Sequence, residues 1–144
     1  MKKCILPFVA ALLFPLLAAA QPQLGEIAGR LATNRIELRY DCTFTQEAPV
    51  HLSGTLLLQG TCYRALGNGM EIYCDGGTRW TVDPASKEVY IETAEGLEEL
   101  LAMRDSLSDL SVSGVRYLPL SEDLSAFRFD TTALDADWVV TDLR

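Results

Sequence analysis

The sequence has few of the residues on which most enzyme chemistry depends. Among its 144 residues there is a single histidine, His51. No Gly-x-Ser-x-Gly turn, no phosphate-binding glycine loop and no Cys-x-x-Cys pair occurs in the chain. Asp75 precedes two glycines, which is typical of a turn and not of a general base. The sequence therefore predicts a protein that is not an enzyme and that binds neither a cofactor nor a zinc ion.

Basic residues are scarce as well. Twelve lysines and arginines stand against twenty acids, for a net charge of −8. If residues 1–20 are removed, two lysines and no acids are lost, the net charge becomes −10, and Lys87 is the one lysine left. Such a chain is not expected to bind nucleic acid or to dock electrostatically on anionic membranes. A partner would have to be apolar or itself basic.

The first twenty residues have the order of a secretory signal peptide. Lys2 and Lys3 precede an apolar run over residues 5–17, and three alanines follow it. The run is too short to span a membrane as a helix, although an uncleaved anchor is the alternative interpretation. A lipoprotein signal would continue with a cysteine, whereas this chain has Gln21. We expect cleavage after Ala20, export without a lipid anchor, and one domain over residues 21–144.

The exported chain begins with a helical pattern and continues with strands. Apolar residues at helical spacing predict a short amphipathic helix over residues 23–33. From Ile36 to Phe44, apolar and polar residues alternate strictly, which predicts a long strand with one buried face. Short strands separated by glycine-, asparagine- and aspartate-rich turns follow at 52–59, 62–66, 70–74, 79–83 and 88–92. Because the turns are so short, neighbouring strands must be antiparallel.

The last third of the chain returns from helix to strand. Thr93 is a plausible N-cap for a helix over residues 94–107, and three more strands are predicted at 112–118, around 127–129 and at 138–143. The predicted fold is mainly β (α+β). It is a curved antiparallel sheet that forms an unclosed half-barrel, with short N-terminal and inserted helices.

Export to an oxidising compartment permits disulfides among Cys42, Cys62 and Cys74. If residues 67–69 form a three-residue loop, the hairpin register places Cys62 opposite Cys74, close enough for a disulfide. We therefore predict a bridge between Cys62 and Cys74, with Cys42 as a buried thiol. A two-residue turn at residues 68–69 would instead place Cys62 against Asp75, and a bridge between Cys42 and Cys74 is the competing pair.

Several segments resemble one family in the same order along the chain. They are YDCTFTQ at 40–46, GTLLLQG at 54–60, DGGTRW at 75–80, KEVYI at 87–91, FRFD at 127–130 and DLR at 142–144. Together they resemble the periplasmic lipoprotein carrier family LolA and its LolA-like relatives. The stretch 94–126 has no counterpart in that pattern.

The resemblance implies a monomeric carrier in the periplasm. Its apolar cavity would take the acyl chains of lipidated proteins from an inner-membrane lipoprotein-releasing transporter and pass them to an outer-membrane acceptor. The alternative is an envelope binding or assembly module with a solid core, which pairs with its partner through an exposed edge strand.

Nine residues on the predicted strands are candidates for the lining of an acyl-chain cavity, eight of them with apolar or aromatic side chains. They are Tyr40, Phe44, Leu56, Leu58, Arg64, Met70, Ile72, Trp80 and Val82. The other interpretation of the eight is ordinary core packing. Arg64 is placed by alternation on the face of Cys62 and Leu66, either as a rim residue or at the cavity mouth.

Overall fold

The computed structural model describes residues 22–45, 47–94 and 107–144. The predicted signal peptide and most of the predicted helix over 94–107 lie outside the described residues. Helix α1 covers Pro22–Arg30, which confirms the predicted N-terminal helix and ends it three residues earlier. Among the described residues no helix has the length and apolar character needed to cross a membrane.

The described residues form one sheet of eight strands, in the order β7-β1-β2-β3-β4-β5-β6-β8. All neighbours are antiparallel except β6 and β8, which are parallel. The strands are β1 (Asn34–Thr45), β2 (Pro49–Gln59), β3 (Cys62–Gly67), β4 (Met70–Cys74), β5 (Thr78–Asp83), β6 (Glu88–Thr93), β7 (Leu107–Pro119) and β8 (Val139–Asp142). The sheet does not close on itself, so the predicted mainly β, unclosed half-barrel is confirmed.

Alternation along the strands divides the sheet into two faces. We call the face that contacts α1 the helix face; it carries Ile36, Leu38 and Tyr40 of β1 and the residues paired with them across β2, β3 and β4. Ile27 of α1 is fully buried against it. The strict alternation in residues 36–44 therefore does what the sequence predicts and buries one side of β1.

The opposite face is crossed by the chain between β7 and β8. We call residues 120–138 the strap and the face beneath them the strap face. Phe127, which is 0% exposed, packs on Leu57 and Cys62, and Phe129 and Trp138 pack farther across the sheet. The prediction of a strand around 127–129 is wrong. Ser125–Phe127 forms a 3-10 helix, and this turn directs the side chain of Phe127 into the sheet.

The predicted disulfide between Cys62 and Cys74 is also wrong. The turn between β3 and β4 has two residues, Asn68 and Gly69, with φ of 55° and 73°. This is the conformation that two-residue hairpins favour. Gly67 therefore pairs with Met70 and Tyr63 pairs with Cys74, so the side chain of Cys62 lies on the strap face and that of Cys74 on the helix face. Cys42, Cys62 and Cys74 are all free thiols.

Candidate functional site

The helix face brings together six of the nine predicted lining residues. Cross-strand pairing of Leu38 with Leu56, and of Leu56 with Ala65, carries one apolar row from β1 to β3. The six predicted residues on this face, all buried, are Tyr40, Phe44, Leu56, Leu58, Met70 and Ile72. The buried side chains of this face therefore form one continuous apolar layer across four strands.

The other three predicted residues lie on the strap face. Arg64 of β3 stands between Leu57 and Tyr73 in the cross-strand register, and Tyr73 stands beside Trp80. Val82 is buried with Val89 and Ile91 under the aromatic side chains of the strap. These residues cannot share a surface with the helix-face set, because the sheet itself separates them. Their assignment to the same cavity is corrected by the register, which short strands leave open in the sequence.

A polar cluster on the helix face was not anticipated from the sequence. Arg79 of β5 pairs with Cys74 across the sheet and is 2% exposed. Its Nη2 lies 3.2 Å from Oε2 of Glu92, and its guanidinium donates to the hydroxyl of Tyr63. An arginine beside Trp80 in an alternating strand gives no sign of burial in the sequence, because its depth depends on what covers that end of the sheet.

Apart from the Arg79–Glu92 pair, burial keeps phenol and thiol groups of the helix face neutral. It raises the pKa of Tyr40 to about 12, with a smaller contribution from Cys42. Burial, and then the charge of Asp41, raises the pKa of the Cys42 thiol to about 12. The pKa of Tyr63 is raised as well, first by burial and then by Cys74. Neutral phenols and thiols do not act as bases or nucleophiles at neutral pH, so this surface is suited to binding apolar groups.

The described part of the chain holds no group of three or more histidine, cysteine, aspartate or glutamate side chains arranged for a metal ion. No family model matches the chain, and no curated protein matches it either. The resemblance to lipoprotein carriers therefore depends on the sequence segments between residues 40 and 144, and the two faces of the sheet are the structural features that bear on function.

Proposed function

We propose that this protein is a periplasmic carrier that holds the acyl chains of lipidated proteins against the helix face. The observation that carries the proposal is the extent of this face. Thirteen buried side chains form one cluster that runs from α1 through β1, β2, β3 and β4. Such a surface, on a sheet whose two edge strands do not pair with each other, is the kind of wall that an acyl chain needs.

The energetics suit reversible carriage. Each methylene transferred from water to an apolar surface contributes about 0.8 kcal/mol, so ten methylenes contribute about 8 kcal/mol before the cost of ordering the chain. No covalent step is needed to hold such a chain in water. An open sheet can widen at its edges, whereas a closed barrel has to break a strand pair to do so.

The central test is the uptake of an apolar probe. Purified protein is titrated with a fluorescent fatty-acid analogue, and lipid that co-purifies with the protein is measured by mass spectrometry. We expect saturable uptake near one probe per chain. Failure of both measurements, with the protein folded by circular dichroism, would overturn the carrier proposal.

Two variants three positions apart on β2 assign the uptake to a face. Leu56→Glu places a charge on the helix face, and Ser53→Glu places the same charge on the exposed strap face of the same strand. We expect uptake to be lost in Leu56→Glu, because an unpaired charge disfavours an apolar ligand, and to be kept in Ser53→Glu. Equal uptake in the two folded variants would remove the helix face from the proposal.

A third variant keeps the test decisive if Leu56→Glu does not fold. Ala65 is 3% exposed in the centre of the helix face. In a face that opens for a ligand, Ala65→Leu is accommodated and competes with the probe. In a solid core Ala65→Leu overpacks the site and lowers the free energy of unfolding by about 1–3 kcal/mol, and neither the wild type nor the variant binds the probe.

A second candidate function is an assembly module with a solid core, and the edge strand β8 favours it. Val139, Val140 and Leu143 are 58%, 43% and 57% exposed on or beside this strand. An apolar edge strand is a template for pairing with an extended segment of a partner. Val140→Lys, which blocks such pairing, should then abolish partner capture and leave probe uptake unchanged.

A further inference from the structure

A groove of about 400 Å³ lies where β1 and β7 separate. The register between these strands shifts between Glu37 and Arg39, so that Gly114 and Val115 together face Leu38. A bulge of this kind opens the ladder and redirects the side chains beside it. The lining is Glu37, Leu38, Arg39, Thr55, Gly114, Val115 and Arg116.

Gly114 holds the side chain of Arg39 in the groove. Its φ is 60°, a conformation that favours glycine. A β-carbon at Gly114 would lie 3.2 Å from Nη2 and 3.3 Å from Nε of Arg39, so the guanidinium group lies against the bare α-carbon. The absence of a side chain at Gly114 thus gives the guanidinium a defined position.

The guanidinium of Arg39 has no hydrogen-bond or ion-pair partner in the described part of the chain, and the two acids that flank it on β1 pair with other residues. Asp41 lies 2.8 Å from Nε2 of His51. Glu37 lies 3.6 Å from Nη1 of Arg116, a loose contact between two exposed side chains. In a chain with a net charge of −8, an arginine without an acid partner beside a second, weakly held arginine is a local reversal of charge.

We propose that this groove binds a phosphate group. Arg39 would bind two oxygens with its planar donor fork, Arg116 would turn from Glu37 to a third oxygen, and the hydroxyl of Thr55, directly across the strand pair from Arg39, would donate to the same group. Three separate donors match the oxygens of a phosphate better than the two of a carboxylate. The phosphate could belong to a lipid headgroup or to a small soluble molecule, and both present the same chemistry.

The first test measures the binding of inorganic phosphate at low salt by amide NMR. We expect saturable shifts at Gly114 and Thr55, and Arg39→Gln should weaken binding about tenfold or more. Arg144→Gln removes the same charge beside the opposite edge strand and should leave the affinity unchanged. No saturable shift in the wild type, or equal weakening in both variants, would overturn the proposal.

The second test distinguishes the two sources of phosphate. Wild type and Arg39→Gln are sedimented with vesicles of phosphatidylcholine alone and of phosphatidylcholine with phosphatidylglycerol. Binding to the anionic vesicles that is lost in Arg39→Gln and competed by inorganic phosphate identifies a headgroup, whereas binding of inorganic phosphate alone identifies a soluble ligand. Gly114→Ala, which keeps every charge and displaces the guanidinium, should reproduce the loss; if it binds phosphate like the wild type, the proposal fails.

Discussion

The helix face and the strap face are built by the same strands but are covered in different ways. On the helix face, thirteen buried side chains form one cluster that includes Ile27 of α1. On the strap face, burial is divided between a cluster around Phe127 and a separate one around Val82, and the end beside β7 carries exposed charged side chains such as Arg39 and Arg116. The difference shows that one sheet can bury a continuous apolar layer on one side while the other side buries only separate clusters that anchor the strap.

The largest effect is expected from a charge at Leu58, which is 0% exposed on the helix face. Leu58→Asp should lower the free energy of unfolding by about 4 kcal/mol or more, because the carboxylate loses both water and packing. Leu57→Asp, one residue away under the strap, should cost less, because Leu57 is 7% exposed in the smaller cluster around Phe127 and a carboxylate there stays closer to water. Urea unfolding measures both. Equal losses in the free energy of unfolding would show that the two faces contribute equally to the stability of the fold.

The second effect concerns the anchor of the strap. Phe127→Ala removes a fully buried ring, and we expect a loss of about 3–4 kcal/mol in the free energy of unfolding. Hydrogen exchange should also rise within residues 121–129 before it rises in β1 and β2. Uniform loss of protection throughout the sheet would mean that the strap is an inseparable part of the core.

A smaller and pH-dependent effect is expected where the strap contacts the turn before β5. Burial opposes ionisation of Asp75, but hydrogen bonds from the N–H of Thr78, from Arg128 and from the N–H of Gly77 outweigh it and lower the pKa of this carboxyl group. A lowered pKa in the folded state means that the contact stabilises the protein at neutral pH. The stabilisation is lost as the pH falls from the pKa of an unfolded aspartate through the folded pKa.

The variant Arg128→Gln tests this contact. It should raise the pKa of Asp75, measured by NMR titration of its carboxyl carbon, and cost about 1 kcal/mol or less at neutral pH, because Arg128 is 55% exposed. The matched variant Arg144→Gln removes an exposed arginine that pairs with Asp142 instead, and it should leave the titration of Asp75 unchanged. An unchanged pKa of Asp75 in Arg128→Gln would contradict the assigned cause.

The smallest effect is expected from chemical modification of the cysteines, which lie on different faces of the sheet. Burial raises the pKa of all three thiols, to about 12 for Cys42. Alkylation of the folded protein at about pH 8 should therefore be slow and should become complete in denaturant. Peptide mapping without reduction should find three free thiols. A linked pair of Cys62 and Cys74 would require a different register between β3 and β4.

Much of the fold could be predicted because local patterns decide it. The alternation in residues 36–44, the glycine-rich turns and the short gaps between strands predict the antiparallel order from β1 to β6. The candidate site was predicted in part: six of nine residues share the helix face, since alternation is reliable within one strand. The grouping of Arg64, Trp80 and Val82 with these six is wrong. Residues on different strands can be assigned to one face only when the register is known, and a register shift of one residue reverses the face.

The sequence by itself determines which residues of each strand share a side, where the chain turns, and how few groups it has for chemistry. The tertiary structure decides the two-residue turn that separates Cys62 from Cys74, the parallel pairing of β8 with β6, the path of the strap and the burial of Arg79. The physical reason is the separation along the chain over which each effect acts. Alternation and turn preference act between neighbours in the chain, whereas pairing and burial depend on contacts between segments far apart in sequence.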